Sequence, residues 1–197
     1  MTKEALRAEL KFKAVIVQCS TFKLPTLIQL VCDIVGSKDG SLRGERLGPN
    51  DKQTVKFITT NPDLVYSANF ESPRFSAKAC QICVESMFKE MNGREIETEM
   101  YGKPYKKNYE FVKTILEEMA RKRAIKISNY YMIGDNPASD IEGGNRAGWI
   151  TILVKTGVFD PNAKTSVNGN DSKSPATYVV DDITAALDLI FRLEKLN

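Results

Sequence analysis

Residues 130–159 constrain the fold more than any other part of this 197-residue chain. The segment opens with an apolar run, residues 130–133, that has the length and composition of one buried strand of a parallel sheet. This run stops at Gly134-Asp135, which would place a carboxylate at the carboxyl end of the strand. A second apolar run, residues 149–154, follows shortly afterwards. The pattern therefore predicts two strands of one parallel sheet with an acidic loop between them.

The connection between these two runs predicts a turn followed by a short helix. Asn136-Pro137 indicates the turn, because proline disfavours helical backbone in the residue before it. Ser139 or Asp140 can then cap a helix over residues 141–147, which would end at Gly148. Strand, loop, helix and strand together make a βαβ unit.

Two acids, Asp135 and Asp140, lie on the loop of this unit. Open α/β sheets bind ligands at the carboxyl ends of their strands. Mg²⁺ takes oxygen ligands and usually keeps waters and a substrate phosphate in its shell. The two acids therefore favour a hard cation at this edge. The structural alternative is that Asp135 satisfies loop amides while Asp140 caps the helix.

Three motifs together resemble a known family. GDNPASDI followed by GGNRAGWITILVKTGV resembles the fourth motif of haloacid-dehalogenase-like (HAD-like) phosphatases. The likeness is closest to subfamily IIA and its eukaryotic branch related to the cat-eye-syndrome critical-region hydrolase. Gly102-Lys103-Pro104 resembles the third motif, and Thr60-Asn61-Pro62-Asp63 resembles a turn of the IIA cap. The motifs stand in the family's order within residues 14–196.

The resemblance implies an α/β fold with a HAD-like (Rossmannoid) parallel sheet. Residues 1–99 would form part of a C2-type α/β cap domain, and residues 100–197 the C-terminal half of the core domain. Members of the family attack phosphorus with an aspartate from an N-terminal DxD motif. No DxD followed by glycine and threonine or valine follows an apolar strand in this chain. The first two motifs would therefore precede residue 1, leaving an incomplete core that lacks the strand beside the one ending at Asp135.

The same resemblance implies roles for six residues. Lys103 would hold phosphoryl oxygens, and Asp135 would ligate Mg²⁺. Asp140 would be the second acid, ligating through water or orienting Lys103. Substrate contacts would come from Asn61, Asp63 and Asn136. Without the family context, Lys103 is a surface lysine before a helix, and Asn61 and Asp63 form a structural turn.

Composition narrows the chemistry. The chain contains no histidine, which excludes Ser-His-Asp and Cys-His catalysis. Cys80 and Cys83 have a metal-like spacing but no second close pair, which argues against zinc. A net charge of +3 is too small to indicate nucleic-acid binding. No apolar run approaches the ~20 residues that span a bilayer, and no signal-peptide core is present.

We therefore expect an intracellular protein, mitochondrial or cytoplasmic, that handles a small phosphorylated molecule. The branch it resembles is associated with mitochondria and glycerophospholipid metabolism. Two hypotheses stay open. The chain is either a Mg²⁺-dependent phosphatase-like hydrolase that keeps the lysine and metal motifs, or an inactive HAD-like fragment that serves as a binding or scaffold module.

Periodicity predicts the remaining elements. Strands are expected at residues 14–17, 55–59 and 178–180, and helices at residues 23–35, 75–91, 106–121 and 183–196. Residues 37–52 read as an exposed loop, and residues 160–175 as a flexible connection. The alternation of strands and helices indicates an α/β class with a largely parallel sheet.

Overall fold

The structure, a computed structural model, describes residues 10–18 and 23–195. They form two compact units. The first contains the described residues up to Val65 together with Arg74–Tyr101, and the second contains Tyr66–Pro73 together with the described residues from Gly102 onward. The assignment of residues 1–99 to a partial cap and of residues 100–197 to half a core stays a prediction.

The elements follow in an alternating order, which agrees with the predicted α/β class. In chain order they are β1 (Ala14–Val17), α1 (Leu24–Val35), β2 (Lys56–Thr59), β3 (Val65–Tyr66), β4 (Arg74–Phe75), α2 (Ala77–Asn92), β5 (Thr98–Met100), α3 (Lys106–Lys122), β6 (Tyr131–Gly134), a π-helical turn (Pro137–Ile141), α4 (Glu142–Arg146), β7 (Ile150–Val154), β8 (Ser166–Val167), β9 (Asn170–Asp171), β10 (Tyr178–Val180) and α5 (Ile183–Leu193).

The first unit is built on a parallel sheet with the strand order β1-β2-β5. Its central strand carries Phe57, which is fully buried. The core combines this strand with the buried faces of α1 and α2, represented by Val35 and Phe88. Helix α1 begins one residue after the predicted start and ends at Gly36, where the prediction placed its end.

The loop at residues 37–52 is less exposed than predicted. Ser37 and Leu47 are buried, and the loop folds back on the end of α1. The Arg46 guanidinium donates to the carbonyl oxygens of Cys32 and Asp33 at 2.8 and 2.9 Å. These carbonyls belong to the last helical turn, where the Cys32 oxygen also accepts the N–H of Gly36 at 3.0 Å. The basic side chain therefore adds hydrogen bonds at the end of the helix.

Helix α2 begins two residues later than predicted, at Ala77, because Phe75 belongs to strand β4 and is exposed. The amphipathic pattern of this helix predicts five inward residues: Cys80, Cys83, Val84, Met87 and Phe88. Cys80, Val84 and Phe88 are buried, whereas Cys83 is half-buried and Met87 is 45% exposed. The buried set recurs at four-residue spacing, which defines a narrower apolar stripe than the prediction assumed.

The second unit is built on a parallel sheet with the strand order β10-β7-β6. Helix α5 covers one face of the sheet, where Ala186 packs with Ile152 and Val154. Ile141 of the π-helical turn packs on the other face against Leu153. Within the described residues β6 pairs only with β7, so it lies at an edge.

Two features of the second unit go beyond what the sequence indicates. Five apolar residues share one side of α3 in the sequence: Tyr109, Val112, Ile115, Leu116 and Met119. Only Tyr109 of these is buried, and Ile115, Leu116 and Met119 are at least 36% exposed. The predicted flexible connection contains the β8–β9 hairpin. Asp171, which is buried there, accepts hydrogen bonds from the backbone N–H groups of residues 173 and 174 at 2.9 and 2.7 Å. In the described part of the chain, no helix is both long and apolar enough to cross a membrane.

Candidate active site

The loop after β6 begins with a cap that the sequence did not identify. The side chain of Asn136 accepts a hydrogen bond from the N–H of Ala138 at 3.0 Å, and its carbonyl accepts one from the N–H of Asp140 at 2.8 Å. Ser139 and Asp140, the predicted caps, lie inside the π-helical turn instead and are buried. The cap prediction is wrong because the chain begins to coil directly after Asn136, several residues earlier than expected.

Asp140 forms an ion pair with Lys103. Lys103 Nζ lies 2.5 Å from Asp140 Oδ1; the Asp140 side chain is 3% exposed and that of Lys103 is 38% exposed. The other carboxylate oxygen, Oδ2, accepts the backbone N–H of Asn136 at 3.1 Å. A Cβ at residue 134 would lie 2.2 Å from Oδ2, so Gly134 leaves the space that Asp140 occupies. Motif-three and motif-four residues thus meet as the resemblance implied.

Asp135 is held by the loop that follows β7. Its Oδ2 accepts a hydrogen bond from the backbone N–H of Val158 at 2.7 Å. A Cβ at residue 157 would lie 2.0 Å from the same oxygen, and Gly157 has a φ of +59°. Glycine is therefore required twice at this position, by the backbone conformation and by the close approach. Among the contacts of the described residues, none engages Asp135 Oδ1.

The carboxylates suit a magnesium-like cation only in combination with other ligands. No group of three or more histidine, cysteine or acidic residues with the spacing for a metal occurs among the described residues. Mg²⁺ is commonly held by one or two carboxylates, with waters and phosphate oxygens completing the shell. Asp135, with one oxygen uncommitted, fits this chemistry. Asp140 already has both oxygens engaged by Lys103 and by the Asn136 backbone.

A cavity of about 360 Å³ adjoins the acidic loop within the second unit. Asn136 and Pro137 line one side of it, and Val158 links it to the carboxylate of Asp135. Asp160 and Lys173 contribute charges of both signs. Its volume lies in the range of small-molecule sites. Asn136, predicted to contact substrate, therefore faces a space that a small molecule can enter.

Asn61 and Asp63 belong to the first unit and follow its central strand. Asn61 Oδ1 accepts the backbone N–H of Asp63 at 3.0 Å, and Asn61 Nδ2 donates to the hydroxyl of Ser76 at 3.2 Å. These contacts make a side-chain-stabilised turn, as the structural alternative expects. A role in substrate binding stays a prediction for both residues.

Sequence reasoning missed two contributors to the site. Tyr109 was assigned only to the apolar face of α3, but its hydroxyl reaches the backbone of the π-helical turn. Val158 was not singled out in the sequence. The available signal for it was Gly157, which follows the end of β7 by three residues. Nothing in the sequence indicated that the hydroxyl of Tyr109, and not only its ring, would make contacts.

Comparisons with known proteins show what this chain is similar to. Residues 100–186 match the HAD-hydrolase-like family. A cardiolipin synthase (CMP-forming)/mitochondrial hydrolase fusion protein of Schizosaccharomyces pombe is 35% identical over 175 residues, covering 87% of this chain and 28% of the fusion protein. A mitochondrial hydrolase of Saccharomyces cerevisiae is 29% identical over 198 residues, covering 90% of this chain and 54% of its own length.

A p-nitrophenyl phosphatase from Archaeoglobus fulgidus shares the fold, with a TM-score of 0.51 and 20% identity over 94% of this chain and 58% of that enzyme. The family match confirms the predicted HAD-like resemblance over residues 100–186. The shared fold confirms the predicted α/β class. The chain spans 28% and 54% of the lengths of the two curated relatives.

Proposed function

We propose that the second unit carries the lysine and metal-binding half of a phosphatase active site, and that its ligand is a small phosphorylated molecule. The observation that supports this most is the ion pair between Lys103 and Asp140, 2.5 Å long, in which Asp140 lies five residues after Asp135. A cation and carboxylates close together can bind a phosphoryl group and a divalent metal at the same time.

Each residue has a distinct role in this proposal. Asp135 holds Mg²⁺ through the oxygen that the Val158 N–H leaves open. Lys103 binds phosphoryl oxygens, and Asp140 orients Lys103, because both oxygens of Asp140 already have protein partners. When bound, Mg²⁺ would neutralise charge on the phosphoryl group. Asn136, which lines the cavity, would contact the substrate.

The finer classification is also part of the proposal. The order of the three motifs supports subfamily IIA. The names of two relatives include mitochondrial hydrolase, which supports a mitochondrial location. A cardiolipin synthase fused to one of them supports a substrate from glycerophospholipid metabolism. A fluorescent fusion of the whole natural protein should label mitochondria; an exclusively cytoplasmic signal would contradict the location.

A second candidate function is binding without turnover. The observation that favours it is the lack, in these 197 residues, of a DxD segment of the family's nucleophile type. In that case the chain binds Mg²⁺ and phosphate but does not hydrolyse p-nitrophenyl phosphate. Robust Mg²⁺-dependent turnover that disappears in Asp135→Asn would favour the enzyme instead.

Calorimetric titration with Mg²⁺ and inorganic phosphate tests the shared part of both functions. We expect saturable Mg²⁺ binding that Asp135→Asn removes, and phosphate binding that Lys103→Met weakens at least about tenfold, since hydrogen bonds between charged groups contribute ~1.5–3 kcal/mol. The matched controls come from the ion pair between Lys155 and Asp181, 3.0 Å long. Lys155→Met and Asp181→Asn should bind as the wild type does. Equal losses in the controls would contradict the proposed site.

A further inference from the structure

We propose that the hydroxyl of Tyr109 is a positioning group that sets the geometry of the Lys103–Asp140 ion pair. As a statement about catalysis or phosphate binding, this rests on the proposed function. As a statement about the ion pair, it stands on geometry alone. Tyr109 lies on α3, six residues after Lys103, and is 3% exposed.

The hydroxyl contacts the backbone that carries Asp140. Its oxygen lies 3.3 Å from the carbonyl oxygen of Ser139 and 3.2 Å from that of Asp140, so the single hydroxyl proton is shared between two acceptors. These two carbonyls belong to the π-helical turn. A π-helical turn is a rare conformation that often occurs at functional sites. The tyrosine therefore binds the turn directly at the residue that pairs with Lys103.

The neighbouring residues leave space for this hydroxyl. A Cβ at residue 143 would lie 2.3 Å from the Tyr109 oxygen and 2.4 Å from its Cε2 carbon, so Gly143 provides the space. On the other side Trp149 contacts the Tyr109 ring edge-on, with the ring centroids 5.4 Å apart. Ring packing alone would be satisfied by phenylalanine. A buried hydroxyl is retained at low free-energy cost only where it makes hydrogen bonds.

These contacts connect Lys103 of the third motif to Asp140 of the fourth motif through α3. Lys103 lies three residues before α3 begins, and the same helix carries the hydroxyl that anchors Asp140. The positions of both members of the ion pair are thus fixed relative to α3. Removal of the hydroxyl should let the turn shift and lengthen the Lys103–Asp140 contact, while the ring still fills its space.

Acetylation footprinting tests this without any phosphoryl ligand. The intact chain is treated with a limiting acetylating reagent, and the acetylation rate of each lysine is read by mass spectrometry. In Tyr109→Phe we expect the rate at Lys103 to rise roughly threefold, the loss expected for one modest hydrogen bond, toward the rate in Asp140→Asn. Rates at Lys113 and Lys155 should stay at their wild-type values.

Tyr130→Phe is the matched control, because Tyr130 also contacts Trp149 but directs its hydroxyl to Glu117. It should leave the rate at Lys103 unchanged. A wild-type rate at Lys103 in folded Tyr109→Phe would overturn the proposal and leave the hydroxyl a purely structural role. Gly143→Ala, which displaces the ring, should raise the same rate. If both variants unfold, the contact supports the whole fold, and the positioning role is also overturned.

Phosphate titration then separates this inference from the proposed function. If Tyr109→Phe weakens phosphate binding but leaves Mg²⁺ binding unchanged, both hold. If acetylation of Lys103 rises although neither wild type nor variant binds phosphate, the positioning role holds and the proposed function fails. If the wild type binds phosphate but the acetylation rate of Lys103 does not change in Tyr109→Phe, the proposed function holds and the positioning role fails.

Discussion

The two units use similar elements but bury them differently. In the first unit, α1 and α2 bury continuous apolar faces against the sheet, including Val35 and Phe88. In the second unit, α3 and α5 each bury one described residue, Tyr109 and Ala186. Both of these helices carry an exposed apolar stripe, represented by Phe111 at 67% and Phe191 at 50% exposure.

Both units bury polar side chains, but among the described residues only the second unit buries carboxylates, those of Asp140 and Asp171. Asp140, Ser139 and Thr151 are at most 4% exposed, and the Ser139 hydroxyl has no hydrogen-bond partner among the described residues. Burial of polar groups without full compensation lowers stability. The comparison indicates that the first unit is organised for packing, whereas the second holds charged groups in a fixed geometry at the edge of a thin core.

The largest expected effect contrasts one phenylalanine from each unit. Phe57→Ala removes a fully buried ring from the central strand of the first unit and should lower the free energy of unfolding by about 3–5 kcal/mol. Phe111→Ala, on the exposed stripe of α3, should change it by less than about 0.5 kcal/mol. Urea denaturation followed by circular dichroism measures both. A large loss for Phe111→Ala would show that the stripe is covered in solution.

The next effect contrasts two ion pairs of the second unit. Lys103→Met leaves the buried carboxylate of Asp140 without its cation and should destabilise by about 1–3 kcal/mol, less than a fully buried pair because Lys103 is partly exposed. Lys155→Met breaks an exposed pair with Asp181 and should cost about 0–1 kcal/mol. Equal decreases in the free energy of unfolding for the two variants, measured by urea denaturation, would contradict the burial of the Asp140 carboxylate.

Two glycines of the second unit distinguish backbone strain alone from backbone strain combined with a steric clash at Asp135. Gly148→Ala forces alanine into a φ of +72° in open space, so only the backbone strain of about 1 kcal/mol is expected. Gly157→Ala adds the clash with Asp135 to a similar strain and should cost more by about 1 kcal/mol or above. Thermal unfolding measures the difference. If the two variants have the same melting temperature, residue 157 lies farther from Asp135 than the structure shows.

The smallest effect is a pH dependence at the end of α5. Burial, followed by a hydrogen bond to Glu194, raises the pKa of Tyr131 to about 12 from 10.0. Because the folded-state pKa is raised, this contribution to stability is complete below pH 10 and is lost as the pH rises through 12. Wild type should therefore lose slightly more stability than Tyr131→Phe between pH 10 and 12. Parallel curves across that range would exclude the contribution.

The sequence predicted most of this fold because its signals are local. The apolar runs, Asn136-Pro137 and Gly36 placed strands, turn and helix end within one or two residues. One difference between prediction and structure concerns burial. Periodicity identifies an apolar face, as on α3, but does not reveal what covers it. The hairpin β8–β9 was missed because its strands are two residues long and polar.

For the site, residue identity and loop position singled out Asp135 and Asp140, and the family likeness added Lys103. The precise contacts depended on backbone geometry that spacing does not encode. The cap at Asn136 and the π-helical turn could not be predicted from the sequence for that reason. Asn61 and Asp63 were recognised as a turn, and their contacts fit that description.

The most direct test of the site is a crystal structure of the chain grown with Mn²⁺ and phosphate, read by anomalous scattering. The account predicts a metal peak at about the 2.0–2.2 Å coordination distance from Asp135 Oδ1 and phosphate density within reach of Lys103 Nζ. The Lys103–Asp140 contact should persist in that structure. A metal bound elsewhere, or phosphate away from Lys103 with this ion pair intact, would contradict the account.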